Sequence, residues 1–186
     1  MIVGADATFL LYFFAPPGNV GVPLDSSGQP VTMAKERVQG LVSELEKQGS
    51  TIVAATPAVS EIMVRAGVQA GQAWLSIMNQ SKAFKVVPFD AKAAIEVAIM
   101  AGHMLHGERG KDATDGTRAK VKYDRQIVAI AHTEGATVFY TDDSGQARLA
   151  MRLGMTVRGL ADLPIPVTVA QTNFPFEDPD GQADKG

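Results

Sequence analysis

Two rhythms of apolar and polar residues alternate along this chain. Short solid apolar runs read as buried strands, and longer runs with apolar residues three and four apart read as helices. MIVGA (Met1–Ala5) is the first strand pattern, and DATFLLYFFA after it is a helix. Residues 16–30 are rich in proline and glycine and form no regular element, so they read as a loop insertion. Met33–Lys47 carries Val38, Leu41, Val42 and Leu45 at helical spacing, and Gly49 stops it. TIVAA (Thr51–Ala55) is the second strand. Thr56 then reads as an N-cap with Pro57 in the first turn of a helix reaching Ala66. Gln69–Gln80 is a further helix with Trp74, Leu75 and Met78 facing inward, and FKVVPF is the third strand. Asp90 caps a long helix to His106, and the polar, glycine-bearing residues 107–119 read as a second loop insertion. A helix with Asp124 near its start, the strand TVFY, a helix over Ser144–Leu153 and the strand MTVRG after Gly154 complete the pattern.

Strands and helices alternating at these lengths predict an α/β fold: a three-layer α/β/α sandwich with a central parallel sheet. One domain spans 1–163. Residues 164–186 are a C-terminal extension whose acidic, proline-bearing close (FEDPDGQADKG) reads as partly disordered.

Ligands of such sheets gather at the carboxyl ends of the strands. Asp6 directly follows strand one, Glu61 lies one turn into the helix after strand two, and Asp142 and Asp143 directly follow the strand ending at Thr141. Asp124 reaches the same rim by arithmetic. From Asp124 to Glu134 a helix climbs roughly 15 Å, and the strand Thr137–Thr141 returns roughly 15 Å.

Taken singly, each acid has a plainer reading. Asp6 is a helix cap, Glu61 a solvated helix residue, Asp124 a complement to the helix dipole, and Asp142–Asp143 turn chemistry. Together at one sheet edge they repel, and burial would leave some of them neutral. A divalent cation removes that penalty, and all-oxygen ligands favour Mg²⁺ or Mn²⁺ over zinc. Such ions activate an attacking water and stabilise a leaving oxygen in phosphodiester hydrolysis.

Composition narrows the field. The net charge of −3 gives no global attraction to nucleic acid, so a polyanion partner needs local basic residues or bound cations. The absence of cysteine excludes thiol catalysis and Cys-based zinc sites and suits a reducing cytoplasm. The run Phe9–Ala15 is too short for a membrane span and lacks a basic leader.

The segments VGADAT, TPAVSEIMVRAG, YDRQIVAIAHTEGATVFYTDD and TDDSGQARLAMRLGM, in this order, resemble the PIN domain, the metal-dependent ribonuclease fold that includes VapC-type toxins. The resemblance covers about Met1–Arg158. It implies a parallel sheet flanked by helices, an acidic Mg²⁺/Mn²⁺ pocket and hydrolysis of RNA. It makes Asp6, Glu61, Asp124 and Asp143 the metal-binding and catalytic quartet, with Asp142 an adjoining metal-binding acid. The family's Thr-x-Asp pattern aligns Thr141 and Asp143. Members of the toxin branch pair with an antitoxin and dimerise, so both kinds of partner enter as expectations. The two insertions and the tail depart from the compact toxin pattern.

Other signals are weaker. Arg109, Lys111, Arg118, Lys120, Lys122 and Arg125 alternate with acids and read either as an RNA-backbone contact or as a solvated loop. Arg65 reads as an i,i+4 partner of Glu61, and His103 and His106 as surface histidines. Thr8 and Ser144 read as helix caps or as ligand contacts. Phe9, Tyr12, Phe13 and Phe14 read as core or as a subunit interface. No dinucleotide fingerprint, P-loop or nucleophile elbow occurs. Two function classes follow: a Mg²⁺-dependent endoribonuclease, and a catalytically silent module that binds RNA or protein.

Overall fold

The computed structural model describes residues 1–16, 18–25, 27–106 and 118–166, with the backbone alone at 103–106 and 118–119. Five strands form one parallel sheet: β1 (Ile2–Ala5), β2 (Thr51–Ala55), β3 (Phe84–Val87), β4 (Val138–Tyr140) and β5 (Thr156–Arg158). Their order is β3-β2-β1-β4-β5, so β1 is central and the chain reverses its direction of travel beside it. Helices α1 (Ala7–Phe14), α2 (Ala34–Lys47), α3 (Thr56–Ala66) and α4 (Val68–Gln80) make the crossovers on one side of that reversal. Helices α5 (Ala91–His106), α6 (Arg118–Thr133) and α7 (Ser144–Arg152) make those on the other. Right-handed crossovers travelling in opposite directions cover opposite faces of a sheet, and the result is the expected three-layer α/β/α sandwich.

The inner strands β2, β1 and β4 are largely apolar and buried, as parallel strands covered on both faces must be, whereas the edge strands β3 and β5 carry the exposed Lys85, Thr156 and Arg158. Leu10, Ile52, Ile62, Met78, Ile127, Ile130 and Phe139 are fully buried and knit the helices to the sheet. Gly4 in β1 sets how closely α6 can approach. A Cβ there would fall 2.6 Å from the Ala131 Cβ and 2.6 Å from the Phe139 ring. Phe9 and Tyr12 of the aromatic run are buried, while Phe14 stacks on Trp74 at 5.8 Å and Phe13 packs on Phe84 at 5.3 Å.

Three helices return to the sheet through one device. α2, α6 and α7 end at Gly49, Gly135 and Gly154, with φ of +64°, +84° and +81°. Each glycine N–H donates three residues back, to Glu46, His132 and Met151. The next N–H donates five back, from Ser50 to Leu45, Ala136 to Ala131 and Met155 to Ala150. This pairing satisfies carbonyls that a helix end leaves without partners.

Two local expectations are corrected. Thr56 is not a cap: it is the first residue of α3, Ala55 precedes the helix, and no side chain caps it. α6 begins at Arg118, so Arg118 and Ala119 belong to the helix and not to the expected loop 107–119, Lys120 and Lys122 are helical rather than part of a solvated loop, and Asp124 lies in the second turn. Alanine, lysine and arginine are strong helix formers, and they extend the helix upstream of its apolar face. Residues 107–117 and 167–186, with the loop and tail expected there, lie outside the described residues. In 16–30 the described residues form no helix, and only Leu24 and Pro30 make an isolated antiparallel bridge.

Beyond β5 the chain makes a short 3₁₀ turn, Leu160–Asp162, and crosses to α2. Arg37 donates to the carbonyls of Ala161 and Leu163, and Pro166 packs over Gly40, where a Cβ would fall 2.9 Å from its ring.

Candidate metal centre

The crevice at the carboxyl ends of β1 and β4, where the strand order reverses, is the place where a sheet of this type opens to a ligand. Asp6 leaves β1 there and caps α1, its Oδ1 accepting from the Phe9 N–H at 2.7 Å. Its Oδ2 accepts from the Thr141 hydroxyl at 2.6 Å, and that hydroxyl in turn accepts from the Asp143 N–H at 2.9 Å. Thr141 therefore locks the exits of β1 and β4 together. Asp143 caps α7, its Oδ1 accepting from the N–H groups of Gly145 and Gln146 at 2.8 and 3.0 Å.

Asp124 arrives from α6 on the other side. Its Oδ1 accepts from the Gln146 side-chain amide at 3.0 Å. The Lys120 ammonium, one turn earlier on α6, bonds Asp143 Oδ2 at 2.5 Å and sits 3.8 Å from Asp124 Oδ2. A cation thus already spans the two carboxylates. Glu61 stands at the margin on α3, paired with Arg65 at 3.0 Å, and the charge of Glu61 is felt at both Lys120 and Asp124. Asp142 points along the rim, its Oδ1 accepting from the Leu160 N–H at 3.0 Å. Thr8, Asp142 and Arg158 line a shallow crease over Asp6.

Burial and neighbouring charge set the protonation of these acids. Asp6 is only 2% exposed. Burial pushes its carboxyl up to about 7 against the pull of the Thr141 and Phe9 hydrogen bonds, with Asp142 and Asp143 adding repulsion. Burial likewise raises Asp124, opposed by Lys120, and raises Asp142, opposed by the Leu160 N–H. Burial would raise Asp143 too, but the Lys120 ammonium and the N–H groups of Gln146 and Gly145 outweigh it and hold this carboxylate below its usual range. Lys120 is raised chiefly by its bond to Asp143.

Asp6, Asp124 and Asp143 thus come to one rim, tied by Thr141, Gln146 and Lys120, with Glu61 and Asp142 flanking. Among the described residues, however, no group of three or more acidic, histidine or cysteine side chains is close enough to hold a metal ion. The ammonium between Asp124 and Asp143 is one physical reason, and the engagement of both Asp6 oxygens within the fold is another.

The donor chemistry nonetheless fits a hard divalent cation. Acceptor-only carboxylates raised by burial are groups that a cation would relieve. A second observation comes from Gln146. Its amide nitrogen must face Asp124, because a carboxylate only accepts, and this leaves the buried Oε1 without a donor.

Gln146 was not singled out in the sequence, where a glutamine on an amphipathic helix carries no motif of its own. Its one signal was position. It stands three residues after a capping aspartate, where a capping box places Glu or Gln, although here the side chain turns to Asp124 instead.

The sequence matches no family model and no curated protein. The fold is similar to a chain of the VapBC2 complex of Rickettsia felis, solved bound to a DNA fragment from its promoter. The TM-score is 0.53 and the identity 14%, and the likeness covers 86% of this chain and 98% of that one. At this identity the likeness speaks for the fold alone, and the fold is PIN-like.

Proposed function

We propose that this protein is a Mg²⁺- or Mn²⁺-dependent endoribonuclease. The observation that carries the reading is the cation bridge between Asp124 and Asp143, which come from different helices to the switch point of a PIN-like sheet. Asp124 and Asp143 would hold the ion, with Asp6 and Glu61 completing its surroundings and Asp142 adjoining. The bound ion supplies charge neutralisation at the phosphodiester and activation of the attacking water.

The protein's own groups supply the positioning. Thr141 keeps the Asp6 and Asp143 loops in register. Gln146 aims Asp124 through its side chain and Asp143 through its backbone N–H, so that one residue sets the spacing of both carboxylates. α7 presents its N-terminus beneath Asp143, which favours negative charge there.

The test is cleavage of single-stranded RNA by purified protein with Mn²⁺. Cleavage should vanish in EDTA and in both Asp6→Asn and Asp143→Asn, each of which should retain the parent's circular dichroism. Cutting at the parent rate by both variants overturns the reading. A second reading, a silent RNA- or protein-binding module, is favoured by the lack of three converging donors among the described residues. RNA retention without cleavage under any divalent ion would select it.

A VapC-like toxin role with an antitoxin protein as partner draws on the fold neighbour being part of VapBC2, and a homodimer draws on the resemblance of the sequence to the toxin branch of the family. Sedimentation of the protein alone tests the dimer. Growth arrest on expression, relieved by a co-expressed neighbouring gene product, tests the antitoxin. No helix among the described residues is long and apolar enough to cross a membrane, and a cytoplasmic location is proposed with the RNA substrate.

A further inference from the structure

We infer that Lys120 is a tethered counter-cation that occupies the space between Asp124 and Asp143 and must swing out before a divalent ion can enter, so that it sets the ion concentration at which the site fills. The inference rests on the metal-dependent reading proposed above and concerns how that site is controlled.

Three observations carry it. The ammonium bonds Asp143 and lies 3.8 Å from Asp124, the two carboxylates that Gln146 also ties together. Lys120 and Asp124 are one turn apart on the same helix, so the ammonium is held at high local concentration by its own backbone. The side chain is also 53% exposed while its partners are 26% and 13% exposed, so a long flexible stem carries the most solvent-accessible charge of the three. An arginine or a hydrophobic residue would not behave this way: the first would clamp both carboxylates and the second would leave them unbalanced. A lysine neutralises one charge of the pair and yields to an ion carrying two. Glu61 on α3, whose charge also acts on Lys120, adds to the negative surroundings of the ammonium.

The test is Mn²⁺ titration by calorimetry of the full chain, comparing the parent with Lys120→Gln and with Lys122→Gln. Lys122 is exposed on the same helix, so its replacement removes the same unit charge without touching the bridge. Lys120→Gln is expected to bind Mn²⁺ roughly three- to fivefold more tightly, as loss of a partly exposed ion pair implies, with Lys122→Gln within about twofold of the parent. A second readout is thermal melting. In EDTA, Lys120→Gln should melt below the parent, and saturating Mn²⁺ should raise its melting temperature by more than it raises the parent's. Equal or weaker Mn²⁺ affinity in Lys120→Gln, with a parent that binds, overturns the lysine's role and leaves the metal site standing. Binding by Lys120→Gln but not by the parent supports it strongly. Failure of both to bind, or binding that Asp143→Asn leaves unchanged, removes the metal site itself and the lysine's role with it.

Discussion

The two rims of the sheet are built on opposite terms. At the amino ends of β2, β4 and β5, three helices deliver the chain through left-handed Gly49, Gly135 and Gly154 with one repeated hydrogen-bond pattern. A surface ion pair between Lys85 and Glu134 lies at that rim. At the carboxyl ends, Asp6, Asp124, Asp142 and Asp143 crowd together, three of them pushed up by burial. The first rim is satisfied by backbone and is indifferent to ions. The second carries excess negative charge that the fold alone balances only in part, through Lys120, Thr141 and Gln146. Such a rim is tolerated because the repulsion sits at strand exits, outside the close-packed sheet.

The comparison breaks most visibly at Asp143. Asp143→Asn keeps an acceptor for the Gly145 and Gln146 N–H groups and so keeps the helix cap. It is expected to lower RNA cleavage by about a thousandfold or more, in the range found when a group central to transition-state charge is removed. Urea melts should show little change. A large loss of stability with activity retained would place Asp143 on the structural side of the comparison.

Asp6 separates stability from chemistry. The unfolded chain gives up this proton near 4, while the folded chain keeps it to about 7. Between those values the folded state holds more protons, so raising the pH favours unfolding, and above about 7 the penalty is complete. In EDTA, Asp6→Asn should therefore match the parent near pH 4 and exceed its stability at pH 8 by about 1–3 kcal/mol. Melting curves at the two pH values read this directly, and a variant less stable at pH 8 than the parent would contradict it.

The amino rim should answer more weakly, and without an effect on chemistry. Gly154→Ala forces a side chain into a left-handed turn and should cost about 1 kcal/mol, with cleavage per folded molecule unchanged. Smallest of all, Lys85→Ala removes a pair whose lysine is 58% exposed, and should change stability by about 0.5 kcal/mol or less. Any larger dependence on Mn²⁺ at either position would blur the distinction between the rims.

Much of this was legible in the chain. The alternation of rhythms predicted the layers, and Gly49 and Gly154 marked real helix ends. Asp6 and Asp143 were readable because each directly follows an apolar strand, where position along the chain is also position in space. Asp124 was harder. Its place at the rim was recovered from helix and strand rise, but its helix begins at Arg118, because helix propensity carried the element past the point where apolar periodicity fades. That shift made Lys120 a neighbour of Asp124 instead of a loop residue. Asp142 shows the limit of adjacency: next to Asp143 in sequence, it turns to the Leu160 N–H, since successive residues leaving a strand face opposite ways. Gln146 had no pattern to betray it, because its partner lies on another helix.

Gly4 has a reach larger than its size. With no side chain at this position of the central strand, Ala131 and Phe139 settle against the backbone, and α6, which carries Asp124 two turns before Ala131, lies closer to the sheet than a methyl group would allow. The helix that delivers Asp124 is thus seated from below, by a missing methyl group on the strand that leads into Asp6. A laboratory evolution experiment on this protein would meet a closed door at Gly4 long before it exhausted the choices among the acids themselves.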